Sequence, residues 1–105
     1  MPIKFADLAW ADYLFWQQAD KATTKRIHTL IKDIQRSPFE GIGKPEPLRH
    51  NFSGFWSRRI DEEHRLIYTI EAGCIVIVQC RYHYQSCATS STKSSPPSTK
   101  KSPLR

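Results

Sequence analysis

Two hydrophobic periods follow one another in this chain, and an all-helical or all-strand fold cannot satisfy both. Ile27, Leu30, Ile31 and Ile34 recur at i, i+3, i+4 and i+7, the stripe of an amphipathic helix. Lys25, Arg26, Lys32, Asp33 and Arg36 occupy its other sides. Ser37-Pro38 ends the stretch, because a residue before proline is pushed out of helical geometry. Beyond the stiff, turn-forming segment 38–47, with Pro38, Pro45 and Pro47, the period drops to two. Leu48–Phe52, Phe55–Ile60, His64–Ile70 and Cys74–Tyr82 read as strands, the last carrying Ile75-Val76-Ile77-Val78. The connections Ser53-Gly54, Asp61–Glu63 and Glu71–Gly73 are short enough to require antiparallel neighbours.

Upstream, Pro2–Phe5 reads as an opening strand. Asp7 is placed to cap a helix over about 8–18, with Leu8, Ala11, Leu14, Phe15 and Trp10 as its apolar face. Asp20 or Thr23 starts the second helix. The order β-α-α-β-β-β(β) predicts an α+β domain, a helical hairpin covering one face of a curled antiparallel sheet.

Charge and composition divide the chain. Its 105 residues allow one domain. The net charge of +6 is unevenly spread, because every acidic residue lies before position 72. Residues 1–84 carry +2, and residues 85–105, with Lys93, Lys100, Lys101, Arg105 and no acid, carry +4. From Ser86 onward Ser, Thr, Pro and Lys dominate, and Leu104 is the one large apolar side chain. Such a stretch buries too little to offset its ordering entropy. The expected organisation is therefore a domain over 1–84 and a disordered tail over 85–105. That tail is either an inert extension or a cationic tether for phosphates. No apolar run reaches membrane-spanning length, and the N-terminus lacks the long apolar stretch of a secretory signal. Three cysteines, Cys74, Cys80 and Cys87, are too few and odd for a disulfide framework and fit a reducing cytoplasm. Their spacing offers no zinc site, and no cofactor is expected.

Alternation assigns sides within the sheet. Arg65, Ile67 and Thr69 share one face, opposite His64, Leu66, Tyr68 and Ile70. With Asp61–Glu63 as the loop, Ile60 pairs with His64 and Arg59 stands across from Arg65. Two guanidinium groups facing each other across a ladder repel, a placement best tolerated where an anion visits. Continuing the alternation, Arg81 and His83 project together, and Lys44 and Arg49 arrive from the proline-rich segment. Glu46, between Pro45 and Pro47, has its backbone direction preset. It is either a surface counter-ion of these arginines or a base.

If these groups converge, they suit metal-free cleavage of a phosphodiester: a base, an acid and positive charge on the non-bridging oxygens. RNA supplies its own nucleophile, the 2′-OH. A glutamate is ordinarily ionised at neutral pH, whereas a histidine, titrating near 6.5, can donate a proton. Arginine holds phosphate bidentately. Tyr84 and Trp56 could stack on bases, although for Trp56 core packing is the preferred reading. The second helix has no helix-turn-helix partner, which disfavours direct DNA reading.

The same residues carry a resemblance. Ser37-Pro38-Phe39-Glu40-Gly41-Ile42-Gly43-Lys44-Pro45-Glu46-Pro47-Leu48, Gly54-Phe55-Trp56-Ser57-Arg58-Arg59-Ile60 and Cys80-Arg81-Tyr82-His83-Tyr84, with Trp10, Asp12, Tyr13 and Trp16, resemble the YoeB (Txe) toxins of the RelE superfamily across residues 1–84. The resemblance implies a microbial-ribonuclease-like fold and a type II toxin that cleaves mRNA in the ribosomal A site. It further implies inhibition by a YefM-type antitoxin, homodimerisation and contact with operator DNA only through the antitoxin. Carried over, Glu46 is the general base, Arg65 the phosphate-stabilising arginine and His83 the general acid. Tyr84 is the terminal aromatic and Arg59 a further site arginine. Arg49 stands where the family often has lysine, and the chain runs 21 residues past Tyr84. The competing expectation is an inactive RNA- or antitoxin-binding module acting as a co-repressor; the retention of Glu46, Arg65 and His83 together favours the enzyme.

Overall fold

The computed structural model describes residues 1–82. His83, Tyr84 and the expected tail at 85–105 lie outside the described residues. The elements run β1 (Ile3–Phe5), α1 (Asp7–Ala19), α2 (Lys21–Arg36), β2 (Glu46–Pro47), a 3-10 turn (His50–Phe52), β3 (Phe55–Arg59), β4 (Arg65–Glu71) and β5 (Cys74–Gln79). They build a five-stranded sheet in the order β1-β5-β4-β3-β2. The α+β architecture is the expected one, with one departure. β1 pairs with β5 in parallel, Ile3 opposite Ile75 and Phe5 opposite Ile77, whereas every other pair is antiparallel. No tight turn links β1 to β5, so nothing local dictates their relative direction.

The two helices meet at a single residue. Asp20 has an extended backbone, and its carboxylate accepts hydrogen bonds from the Ala22 and Thr23 amides, the ordinary N-cap arrangement. Asp7, by contrast, lies inside the first turn of α1, where Ala6 holds the cap position without a side-chain bond. α2 buries the expected stripe, Ile27, Leu30, Ile31 and Ile34. α1 does not bury its expected face: Leu8, Trp10, Leu14 and Phe15 are exposed, and Ala9, Asp12 and Trp16 point inward. Nearly every side of α1 is apolar, so periodicity alone could not choose among them. A polar clamp decides. The Asp12 carboxylate accepts from the Cys80 amide at 3.1 Å, and the Trp16 indole donates to the Cys80 carbonyl at 2.8 Å. Residues i and i+4 of one helix thus satisfy both backbone groups at the end of β5.

The core lies between this helical layer and one sheet face. Ala9, Trp16, Ile27, Leu30 and Ile34 pack against Leu66, Tyr68, Ile75 and Ile77. Trp56 is half-buried against the same core, with its ring 4.9 Å from that of Phe39, which is the packing role preferred for it. β4 and β5 are joined by Ala72-Gly73, both at positive φ, the two-residue turn that matches strand twist. Val78 is the extra residue of a bulge, since Ile67 pairs with Gln79 and Tyr68 with Ile77.

Two expected strands are shorter or displaced. Residues 48–52 do not form one; pairing is confined to Glu46–Pro47, and the chain then tightens into the 3-10 turn. Prolines at 45 and 47 limit what this edge can donate. β5 ends at Gln79 rather than Tyr82, and Tyr82 takes a left-handed φ of 63°.

Candidate active site

The sheet face away from the helices carries the candidate residues. Arg59 and Arg65 are directly paired across β3 and β4, as the loop length at Asp61–Glu63 predicts. Ser57, opposite Ile67, continues this face, and Glu46 pairs with Ser57 from the edge strand. Strand alternation therefore turns the side chains of Glu46, Arg59 and Arg65 to the same side. Glu46 reaches diagonally to Arg65, with Oε1 3.5 Å from a guanidinium nitrogen. Arg65 is mostly covered (18% exposed) and Glu46 is open (62%). The carboxylate is thus presented to solvent while its partner is held in place.

A buried arginine fixes the segment that delivers Glu46. Arg58 is fully buried on the helical side, and each of its five N–H groups finds an acceptor. Nε donates to the Tyr68 hydroxyl, Nη1 to the Asp33 carboxylate at 2.6 Å and the Ile42 carbonyl, and Nη2 to the Ser37 and Glu40 carbonyls. The Tyr68 hydroxyl in turn donates to the Pro38 carbonyl at 2.6 Å. Residues 37–42, which have no regular structure, are strapped to the sheet through their own carbonyls. Asp33 completes the strap. It accepts from Arg36, the Ile42 amide and Arg58, which together hold its carboxyl far below the usual aspartate range, Arg36 contributing most. Sequence reasoning placed Asp33 on the solvated side of α2 and assigned Arg58 no role. Their partners lie 25 residues apart, and only an aspartate on the helix rim could have hinted at the pair.

Gly43 closes the approach. Its carbonyl accepts from the Arg59 amide at 2.7 Å. Its φ is 79°, and a Cβ there would stand 2.8 Å from Leu30 Cδ2 and 3.2 Å from the Arg59 carbonyl. Only glycine lets the chain pass this close to both α2 and β3. Lys44, exposed and at a φ of 50°, follows it, and exposed Arg49 precedes the 3-10 turn.

Arg81 departs from the expected placement beside Arg65. Because β5 has already ended, alternation does not carry to position 81. Its guanidinium lies over the Phe15 ring of α1, 3.5 Å from the centroid, a cation–π contact. The expected site residues therefore fall into four groups. Glu46, Arg59 and Arg65 are assembled, Lys44 and Arg49 are exposed on the segment around Glu46, Arg81 is drawn to the helix, and His83 and Tyr84 are outside the described residues.

Comparison with known proteins gives this geometry its relatives. A model of the YoeB-like toxin of bacterial type II toxin–antitoxin systems matches residues 5–84. The chain is 57% identical over 84 residues to Toxin YoeB of Escherichia coli K12, covering 80% of this chain and all of that protein. It superposes with a TM-score of 0.75 and 48% identity on the YoeB dimer from Staphylococcus aureus, over 80% of this chain and 98% of that one. The heterotetrameric YoeB–YefM toxin–antitoxin complex of the same organism gives 0.74 and 48%, with the same coverage. A proline-braced carboxylate beside opposed arginines thus sits on a fold shared over nearly the full length of these relatives, and the chain belongs to the YoeB-like toxins of bacterial type II toxin–antitoxin systems.

Proposed function

We propose that this toxin is a ribosome-dependent endoribonuclease that cleaves mRNA in the ribosomal A site without a metal ion, and so halts translation. The observation that carries the reading is the Glu46–Arg65 contact at 3.5 Å with Arg59 directly across from Arg65. Glu46 removes the proton from the ribose 2′-OH, and the 2′-oxygen attacks phosphorus. Arg65, with Arg59, stabilises the charge on the non-bridging oxygens. The bond from phosphorus to the 5′-oxygen breaks, and His83 supplies that oxygen's proton. The products are a 2′,3′-cyclic phosphate and a 5′-hydroxyl. Tyr84 stacks on a base, and Lys44 and Arg49 hold flanking phosphates. Arg81 contributes mainly through its place on Phe15.

The toxin acts in the cytoplasm, where its target is. A YefM-type antitoxin inhibits it and provides its only route to operator DNA; it also pairs with a second copy of itself. The support is the dimer and the YoeB–YefM complex formed by the Staphylococcus aureus relative. Primer extension on mRNA with purified protein, with and without ribosomes, tests the activity. Strong stops within reading frames, present only with ribosomes, are expected. Their absence under both conditions overturns the nuclease, and equal cutting without ribosomes overturns the dependence.

A further inference from the structure

His64 has no part in the chemistry just described, yet it is buried, 8% exposed, at the entrance to β4. Its ring stands edge-on to Trp16, with centroids 4.9 Å apart, and lies against the ring of Tyr82 at 5.4 Å. Its Nδ1 accepts the backbone N–H of Tyr82 at 2.7 Å. A nitrogen that accepts carries no proton, so in this arrangement the ring is neutral with its hydrogen on Nε2. The next amide along, that of Arg65, donates to the Tyr82 carbonyl at 3.1 Å. His64, just before β4, and Arg65, its first residue, therefore take both backbone polar groups of Tyr82.

This bracket acts on a residue in an unusual conformation. Tyr82 is at a φ of 63°, which a non-glycine residue adopts at a cost and keeps only when its surroundings over-determine it. More than His64 is engaged here. The Gln79 side chain donates to the Arg81 carbonyl at 2.7 Å, and the Asp12–Trp16 clamp fixes Cys80. The chain leaves its strand at Gln79 and is recaptured at Tyr82. The carbonyl that leads into residue 83 is hydrogen-bonded to the backbone of Arg65, whose side chain meets Glu46.

We infer that His64 is a positioning residue that, by accepting the Tyr82 amide and holding its left-handed turn, fixes the direction in which the chain leaves Tyr82, whose carbonyl is bound by the Arg65 amide. The inference rests on the nuclease reading, in which residue 83 donates the proton to the leaving oxygen. Without the Nδ1 acceptor, Tyr82 relaxes to an ordinary φ and the chain leaves it in another direction, at a cost to the proton-transfer step, while the Glu46–Arg59–Arg65 face stays as it is.

The test compares full-length wild type, His64→Leu and His64→Asn. Asparagine keeps an acceptor where Nδ1 stands, and leucine keeps only the bulk. Cleavage of ribosome-bound mRNA gives kcat and KM, and hydrogen exchange follows the Tyr82 amide. His64→Leu is expected to lower kcat by about tenfold to a hundredfold, with KM within about twofold and fast Tyr82 exchange. His64→Asn is expected to recover kcat to within about threefold and keep exchange slow. Unchanged kcat in His64→Leu, or no recovery in His64→Asn, overturns the positioning role. If leucine prevents folding, His64→Gln, whose oxygen sits towards Nε2, replaces it. Asparagine outperforming glutamine supports the role, and the reverse overturns it. A wild type that cuts no mRNA overturns the nuclease reading instead, a distinct result, and slow Tyr82 exchange that quickens in His64→Leu still identifies the bracket.

Discussion

Glu46 owes its bearing to two prolines, one strand pairing and one guanidinium, and each limits a different freedom. Pro45 and Pro47 restrict the backbone, pairing with Ser57 fixes the side, and Arg65 receives the carboxylate. Replacing Glu46 with glutamine keeps the shape and removes the proposed base. With Arg65→Ala and His83→Gln it forms a set, each expected to lower mRNA cleavage in a translating extract by about 10²- to 10⁴-fold. Circular dichroism and melting should stay close to wild type for Glu46→Gln and His83→Gln. Wild-type cleavage in all three would remove these roles. A second residue-scale expectation concerns thiols. Burial, with help from the Asp12 carboxylate, pushes the Cys80 thiol up to about 12, so it holds almost no thiolate at neutral pH. In the folded protein, alkylation at pH 8 followed by mass spectrometry should modify partly exposed Cys74 and leave Cys80 untouched until denaturant is added. Rapid native labelling of Cys80 would contradict this.

Among the elements, the strap through Arg58 and Asp33 sets what the loop before Glu46 can do. Arg58→Ala leaves the Asp33 carboxylate contact and four backbone and hydroxyl bonds unmade, a change expected to cost about 3–5 kcal/mol. Urea denaturation would measure it. The pH dependence follows from Asp33. Its folded carboxyl titrates below its unfolded value of 3.8, so its contribution is complete above that value and is lost as pH falls beneath it. Wild type should therefore lose stability more steeply than Asp33→Asn below about pH 4. Parallel acid limbs for the two proteins would count against the strap. Elements also differ in how far the sequence discloses them. α2 was legible because four aliphatic residues recur on one side of an otherwise polar helix. The opposition of Arg59 and Arg65 was legible because a three-residue loop leaves little choice of register. α1 was not, because its inward face includes Asp12 while Leu8, Leu14 and Phe15 point outward. Nor were the Arg58 strap and the Tyr82 bracket, whose partners are set by tertiary approach rather than by spacing. The site was half legible for the same reason. Strand alternation placed Arg59 and Arg65, but it misplaced Arg81 once β5 had ended.

At the scale of the molecule, the fold matched in relatives occupies residues 5–84, and most of the net charge, +4 of +6, lies beyond it. Truncation after Tyr84 is expected to preserve or raise ribosome-dependent cleavage, while reducing the steepness with which non-specific RNA binding falls with salt. Unfolding or loss of antitoxin binding on truncation would make the last 21 residues part of the working protein. Light scattering on the free toxin should give twice the chain mass, as in the Staphylococcus aureus relative; a monomer at micromolar concentration would set this member apart. No helix among the described residues is long and apolar enough to cross a membrane. The close passage of Gly43 past Leu30 leaves the interior and the outward carboxylate sharing one joint with no slack. Swapping Leu30 for a bulkier or smaller aliphatic is expected to shift residue 43 and the strand that carries Glu46, so a change in the hydrophobic interior should register at the outward face as well as in stability.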